Sequence, residues 1–115
     1  MGGDDVPEVS AEDGHRMVEE EGALLLDVRE ADEWDAGHAP DALWMPVGEV
    51  QARVGELARD QRVVAICRSG ARSHAVARAL IGAGYDAVNL DGGMRAWAAD
   101  DLPIVASDGL PGTVI

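Results

Sequence analysis

The sequence predicts an α/β domain in which a mostly parallel sheet is covered on both faces by helices. Three observations carry this. The apolar run Val63-Val64-Ala65-Ile66 stops abruptly at Cys67. After a short polar loop, Ala75, Val76, Ala79, Leu80 and Ile81 return at roughly helical period, which reads as strand, loop and helix. A second run, Ala23-Leu24-Leu25-Leu26-Asp27-Val28, is too short for a typical helix and is bounded by Gly22 and a charge cluster, so it reads as a buried parallel strand. Strand-like and helix-like segments then alternate along the chain, with no internal repeat and no linker to divide it. At 115 residues and 47% hydrophobic content the chain suits one core and leaves no room for a second catalytic domain.

Taken in order, residues 1–5 read as a disordered leader. Val6-Pro7-Glu8-Val9 suits a short edge strand, since proline cannot donate to a central ladder. Ser10 is a helix N-cap followed by Glu12 and Asp13, and the helix it starts offers Ala11, Met17 and Val18 to the core and ends near Gly22. His15 reads as a solvated position on that helix. After the strand at 23–28, whose Asp27 falls at the C-terminal end where open α/β sheets carry their functional loops, Arg29 to His38 is a short acidic helical segment with Trp34 as its core anchor. Ala42 to Pro46 is a further short strand. Val50, Val54, Leu57 and Ala58 predict one helix between Pro46 and Arg62, which Gly55 weakens. Beyond the central unit, Gly82-Ala83-Gly84 ends the helix, Tyr85 to Leu90 is the last strand, Asp91-Gly92-Gly93 a turn and Met94 to Ala99 a short helix. Residues 106–115 lack amphipathic period and read as a mobile tail or a surface strap, leaving 6–105 as the folded domain.

Net charge is −13 and the isoelectric point is near 4.3, which opposes nucleic-acid and anionic-membrane binding. No apolar run approaches transmembrane length, and the acidic start is unlike a secretory signal, so a cytoplasmic location is expected. The one cysteine cannot form an internal disulfide, and a reduced compartment suits a reactive thiol. All nine basic residues are arginine, which hints at a GC-rich genome and carries no function.

Cys67 falls in the turn before a helix N-terminus, where unpaired N–H groups and the helix dipole favour an anion such as a thiolate. Arg68 and Arg72 add positive charge, so the Cys67 thiol is expected below the usual thiol range. Gly70 permits the positive φ that lets successive N–H groups curl around one point. The element is similar to the loop of cysteine phosphatases, but theirs places one more residue between cysteine and arginine, to fit a tetrahedral phosphate. Only four residues, Arg68 to Ala71, intervene here.

The short Cys-x-x-Gly-x-Arg-Ser loop instead resembles the active-site loop of the rhodanese (sulfurtransferase) family. Three further stretches resemble that family's signatures, in its order. They are Leu26-Asp27-Val28-Arg29 with Glu33-Trp34 and Gly37-His38, then Ala39-Pro40-Asp41-Ala42-Leu43-Trp44-Met45-Pro46, then Gly92-Gly93-Met94-Arg95-Ala96-Trp97. Together they span roughly residues 8–104. Ala39 and Asp41 depart from the pattern, on a connecting loop away from the chemistry. The resemblance implies a three-layer domain with a mainly parallel five-stranded sheet flanked by helices. It also implies a cysteine that carries a persulfide sulfur.

On this reading Cys67 is the nucleophile, and Arg68, Ser69, Gly70, Ala71, Arg72 and Ser73 form the substrate-binding loop. Arg68 either attracts an anionic donor or points to solvent. Arg72 braces the loop against a carboxylate, Asp27 or Glu33, because a bidentate guanidinium–carboxylate pair rigidifies a loop that must hold its N–H groups in place. Ser69, Gly70 and Ala71 contribute backbone, and Ser73 donates to the sulfur or caps the helix. His38 and His74 are structural or solvated, since persulfide transfer needs no general base once the thiolate exists. Trp44 and Trp97 read as core. No residue cluster suggests a metal, and no cofactor is implied. The expected activity moves sulfur from a small anionic donor such as thiosulfate to a thiol or cyanide. The rivals are a persulfide carrier or docking module that serves a protein partner, and a phosphatase or arsenate-reductase relative.

Overall fold

Leu24 to Asp27 and Val63 to Ile66 pair in parallel register, Leu26 beside Ala65 and Asp27 beside Ile66, and the sheet grows outward from them. The computed structural model describes residues 5–115, so nearly all of the leader assigned to residues 1–5 lies outside the described residues. Among the described residues, the elements are β1 (Glu8–Val9), α1 (Ala11–Glu21), β2 (Leu24–Asp27), α2 (Ala31–Ala36), β3 (Leu43–Trp44), α3 (Val47–Arg53), β4 (Val63–Ile66), α4 (Ala71–Gly82), β5 (Ala87–Leu90) and α5 (Gly93–Ala99). The five strands form one sheet of order β1-β5-β4-β2-β3, every neighbouring pair parallel. Fold class is therefore as expected from the sequence. The Pro7-bearing segment lies at one edge, where its missing N–H breaks no ladder.

Alternation along the central strand divides the core into two layers. Val63 and Ala65, with Cys67 beyond them, pack with Val50, Val76, Ala77 and Leu80 under α3 and α4. Val64 and Ile66 pack with Ala11, Met94 and Trp97 under α1 and α5, where Met17 and Val18 close the layer. Ser10 caps α1, its Oγ accepting the Asp13 N–H at 3.0 Å, and Gly22 ends the helix in a left-handed conformation at φ 74°.

Four expectations are corrected. The helix predicted between Pro46 and Arg62 stops at Arg53; Val54–Glu56 tightens into a 3₁₀ turn, and Ala58 is exposed. Gly55 weakens the α-helix there, and Arg53 clamps both sides of the break through Glu49 and Glu56. Trp34 is not a core anchor. It is half-buried, stacked on His38 at 3.6 Å between ring centroids and on Trp44 at 5.7 Å, so that Trp44 also lies outside the core. His15 is half-buried and meets Trp97 edge to face at 5.2 Å, which its polar surroundings in sequence did not reveal.

Residues 103–115 turn back over α2. His38 and Val105 exchange backbone hydrogen bonds at 2.9 Å, and the Thr113 N–H donates to the Ala36 carbonyl at 2.9 Å. Among the described residues no helix is long and apolar enough to cross a membrane.

Candidate functional site

β4 delivers Cys67 at its C-terminal end, where the chain leaves the sheet and turns into α4. Gly70 makes the turn with φ 112°, a conformation that side chains disfavour, and α4 begins at the next residue. Its twelve residues point the positive end of their dipole at the sulfur. The Cys67 Sγ accepts the Gly70 N–H at 3.1 Å and the Ser73 hydroxyl at 3.2 Å. Burial pushes the Cys67 thiol up. The Ser73 hydroxyl and the backbone N–H groups of Ser73, Gly70 and Ser69 outweigh this and hold it below the ordinary 9.0. The sequence assigns the lowering to the loop N–H groups, the helix dipole and the charges of Arg68 and Arg72. In the structure the strongest lowering influences are the Ser73 hydroxyl and the backbone N–H groups, while Arg68 and Arg72 donate their hydrogen bonds to Ile115 and Glu33 and not to the sulfur.

Arg72 braces the loop. Its two terminal nitrogens donate to the two oxygens of Glu33 at 2.8 and 2.9 Å. The Arg72 guanidinium holds the Glu33 carboxyl down to about 2. Asp27, the other partner offered by the sequence, is taken by Arg29. That pair is fully buried, with Nη2 to Oδ2 at 2.8 Å and Nε to Oδ1 at 3.0 Å. Arg29 also donates to the carbonyls of Gly37 at 2.8 Å and Glu33 at 3.3 Å, and so ties the middle and the C-cap of α2 to the end of β2. Asp27 thus supports α2, and α2 supports the loop through Glu33. Arg29 is a functional support that the sequence reading passed over. The available signal was the Asp-x-Arg spacing at a strand end, which puts both side chains on one face.

Arg68 is exposed, but not free in solvent: its Nε donates to the Ile115 backbone oxygen at 2.8 Å. Ser69 and Ala71 are exposed, Ser69 directing its backbone N–H at the sulfur, whereas Ser73 is fully buried beneath it. His38 is 9% exposed, with Nδ1 at 2.7 Å from the Trp34 carbonyl, and His74 Nδ1 lies 2.7 Å from a Glu8 carboxylate oxygen. Neither contact involves the sulfur.

The Gly92-Gly93 turn holds the loop from behind. Met94 and Arg95 N–H groups donate to the Cys67 and Arg68 carbonyls at 2.7 and 3.0 Å. A Cβ on Gly93 would lie 2.6 Å from the Arg68 carbonyl carbon, so only glycine admits this approach. Among the described residues no group of three or more His, Cys, Asp or Glu side chains is arranged to hold a metal ion.

A parallel sheet that presents a lone cysteine among N–H donors defines an α/β protein built around a sulfur whose surroundings favour its anionic form. The chain belongs to the rhodanese-like domain family, whose model matches residues 10–100. It is 42% identical over 106 residues to a sulfurtransferase of Allochromatium vinosum, covering 90% of this chain and 99% of that one. It is 38% identical over 94 residues to the Bacillus subtilis protein named "Putative sulfur carrier protein YrkF", covering 80% of this chain and 51% of the relative. Among solved structures, a rhodanese-related protein from Thermoplasma volcanium superposes with a TM-score of 0.80 at 28% identity, covering 86% of this chain and 97% of that one. Kinship with sulfurtransferases and a named sulfur carrier supports a rhodanese-type role in sulfur transfer.

Proposed function

We propose that this chain is a sulfurtransferase that moves a sulfane sulfur through a persulfide on Cys67, with a small anion such as thiosulfate as donor. The Cys67 thiolate attacks the outer sulfur of thiosulfate, the S–S bond to the sulfonate sulfur breaks, and sulfite leaves with the electron pair. The outer sulfur of the new persulfide is then attacked by a thiol or cyanide, and Cys67 departs as thiolate. No proton has to move at the sulfur, which agrees with histidines engaged elsewhere. The observation that carries the reading is the Sγ held at 3.1 Å from the Gly70 N–H and 3.2 Å from the Ser73 hydroxyl. Those donors stabilise an anion at one point, as a displaced thiolate needs. With four residues between Cys67 and Arg72, the loop is sized for sulfur. An arriving phosphate would have several oxygens left without donors.

A protein acceptor is the second reading. It is favoured by the carrier-named relative and by a net charge of −13, which suits a basic partner. The intact mass after incubation with thiosulfate is the test. Wild type gains one sulfur atom, reversed by cyanide, and Cys67→Ser gains none. Turnover of an aryl phosphate with no sulfur on Cys67 would overturn the assignment. Slow turnover with small thiols beside rapid transfer to one protein would favour the carrier reading.

A further inference from the structure

Asn89 sits on β5 opposite Ala65, two residues beyond Ala87, and so on the sheet face that carries Cys67. It is 2% exposed. Its Nδ2 donates to the Gly70 carbonyl at 3.0 Å and to the two oxygens of Glu8 at 3.0 and 3.2 Å. Every atom that the amide faces there is an acceptor, so the nitrogen must point at them. The Asn89 Oδ1 is buried and has no hydrogen-bond partner among the described residues.

Neither acceptor depends on this asparagine. The Gly70 carbonyl also receives the His74 N–H at 3.1 Å, and the Glu8 carboxylate also meets His74 Nδ1 at 2.7 Å. For folding alone, an apolar residue of similar size would serve as well, without an unpaired oxygen in the core. The asparagine does what an apolar residue cannot. Gly70 has no Cβ to confine its backbone, yet its N–H must stay aimed at the sulfur while its carbonyl points the other way. We infer that Asn89 is a positioning residue for the cysteine loop, anchored by Glu8 of the edge strand and holding the Gly70 carbonyl so that the Gly70 N–H stays directed at Cys67. The edge strand, remote from the sulfur in sequence, thereby becomes part of the support of the site. This deepens the proposed function and rests on its account of the loop as a thiolate cradle.

The test is the pH profile of Cys67 alkylation by iodoacetamide, with thermal unfolding measured on the same samples. Asn89→Leu keeps the bulk and removes both donors, and Asn89→Ala removes them without adding volume. On the rising limb of the profile both variants should react roughly fivefold more slowly than wild type, with the high-pH plateau kept, because a smaller fraction of the thiol is ionised at each pH. Glu8→Ala removes a side chain 39% exposed at the sheet edge, with its contacts to Asn89 and His74, and should shift the profile the same way by less. A purely structural role would lower the unfolding temperature and leave the profile in place. Profiles that superpose on wild type for Asn89→Ala and Glu8→Ala would overturn the inference. Alkylation reads the thiolate directly, so wild type that takes no sulfur from thiosulfate would sink the proposed function without touching this result.

Discussion

Replacing Glu33 by glutamine tests whether the loop is braced by charge, and the structure gives both the size and the pH dependence of the effect. Glu33 is 13% exposed in its side chain and is met by two guanidinium nitrogens at 2.8 and 2.9 Å. Its carboxyl falls from an ordinary 4.5 to about 2, through Arg72 first. At about 1.4 kcal/mol per pH unit that difference corresponds to at most about 3.5 kcal/mol. The Arg72 side chain is 38% exposed, and solvent screening reduces the figure to about 1–2 kcal/mol. Because Glu33 is more acidic in the folded protein than in the unfolded chain, its contribution is complete above about pH 4.5 and lost as pH falls toward about 2. Urea unfolding followed by circular dichroism should therefore place Glu33→Gln about 1–2 kcal/mol below wild type at neutral pH, with more than half of that gap gone by about pH 3. Arg72→Ala should cost a similar amount, and Arg72→Lys should recover only part, since lysine offers no planar two-point contact. A gap between wild type and Glu33→Gln that stays constant from neutral pH to about pH 3 would refute the argument.

Two further outcomes follow from the packing of the loop. Ser73→Ala removes the strongest of the influences that lower Cys67, so its alkylation at pH values below the thiol midpoint should slow roughly threefold to tenfold; an unchanged profile would show the hydroxyl to be a spectator. Gly93→Ala should cost about 3 kcal/mol or prevent folding, because its Cβ would overlap the Cys67 and Arg68 backbone, whereas Gly22→Ala, at φ 74° with open space around it, should cost only about 1–2 kcal/mol; equal costs in urea unfolding would remove the close-approach argument.

The strands and the helices packed on them were legible because apolar residues recur there at the right period and in sufficient number. Leu24 to Asp27 and Val63 to Ile66 could only be buried strands, and Ser10 and Gly22 mark the two ends of α1. The helix after Pro46 was overextended because Leu57 repeats the apolar spacing. Leu57 is buried, but it reaches the core from beyond a 3₁₀ turn, and periodicity cannot distinguish the two routes. Trp34 misled for a different reason. A large aromatic residue in an acidic segment suggests a core anchor, while its ring finds its partners in His38 and Trp44, one of them ten residues away in sequence. For residues 106–115 the sequence offers a surface strap as one alternative but not its course, which is set by backbone hydrogen bonds and by Ile104 and Val114 packing on the core, isolated apolar positions with no periodic spacing.

The support of the loop was half legible, and which half follows from distance. The sequence offers Asp27 and Glu33 as partners of Arg72, and both carry the charge required. The choice between them is made by Arg29, two residues from Asp27 on the same face of the chain, which reaches it first and leaves Glu33 for Arg72. A fully buried ion pair such as Asp27–Arg29 contributes little net stability, because desolvation offsets most of its attraction. Its consequence here is positional. Once Asp27 fixes the guanidinium, the same group holds the Glu33 carbonyl inside α2 and the Gly37 carbonyl at its C-cap, which ties the helix carrying Glu33 to the end of β2. The thiolate cradle is therefore held from three directions, by Glu33 on α2, by the N–H groups of Met94 and Arg95 on α5, and by Asn89 on β5. None of these contacts touches the sulfur. A loop that presents backbone donors, with Arg72 as its bracing side chain, needs partners outside it to fix its geometry, and that is why the residues supporting this site are spread from Glu8 to Arg95 while the sulfur meets only the loop.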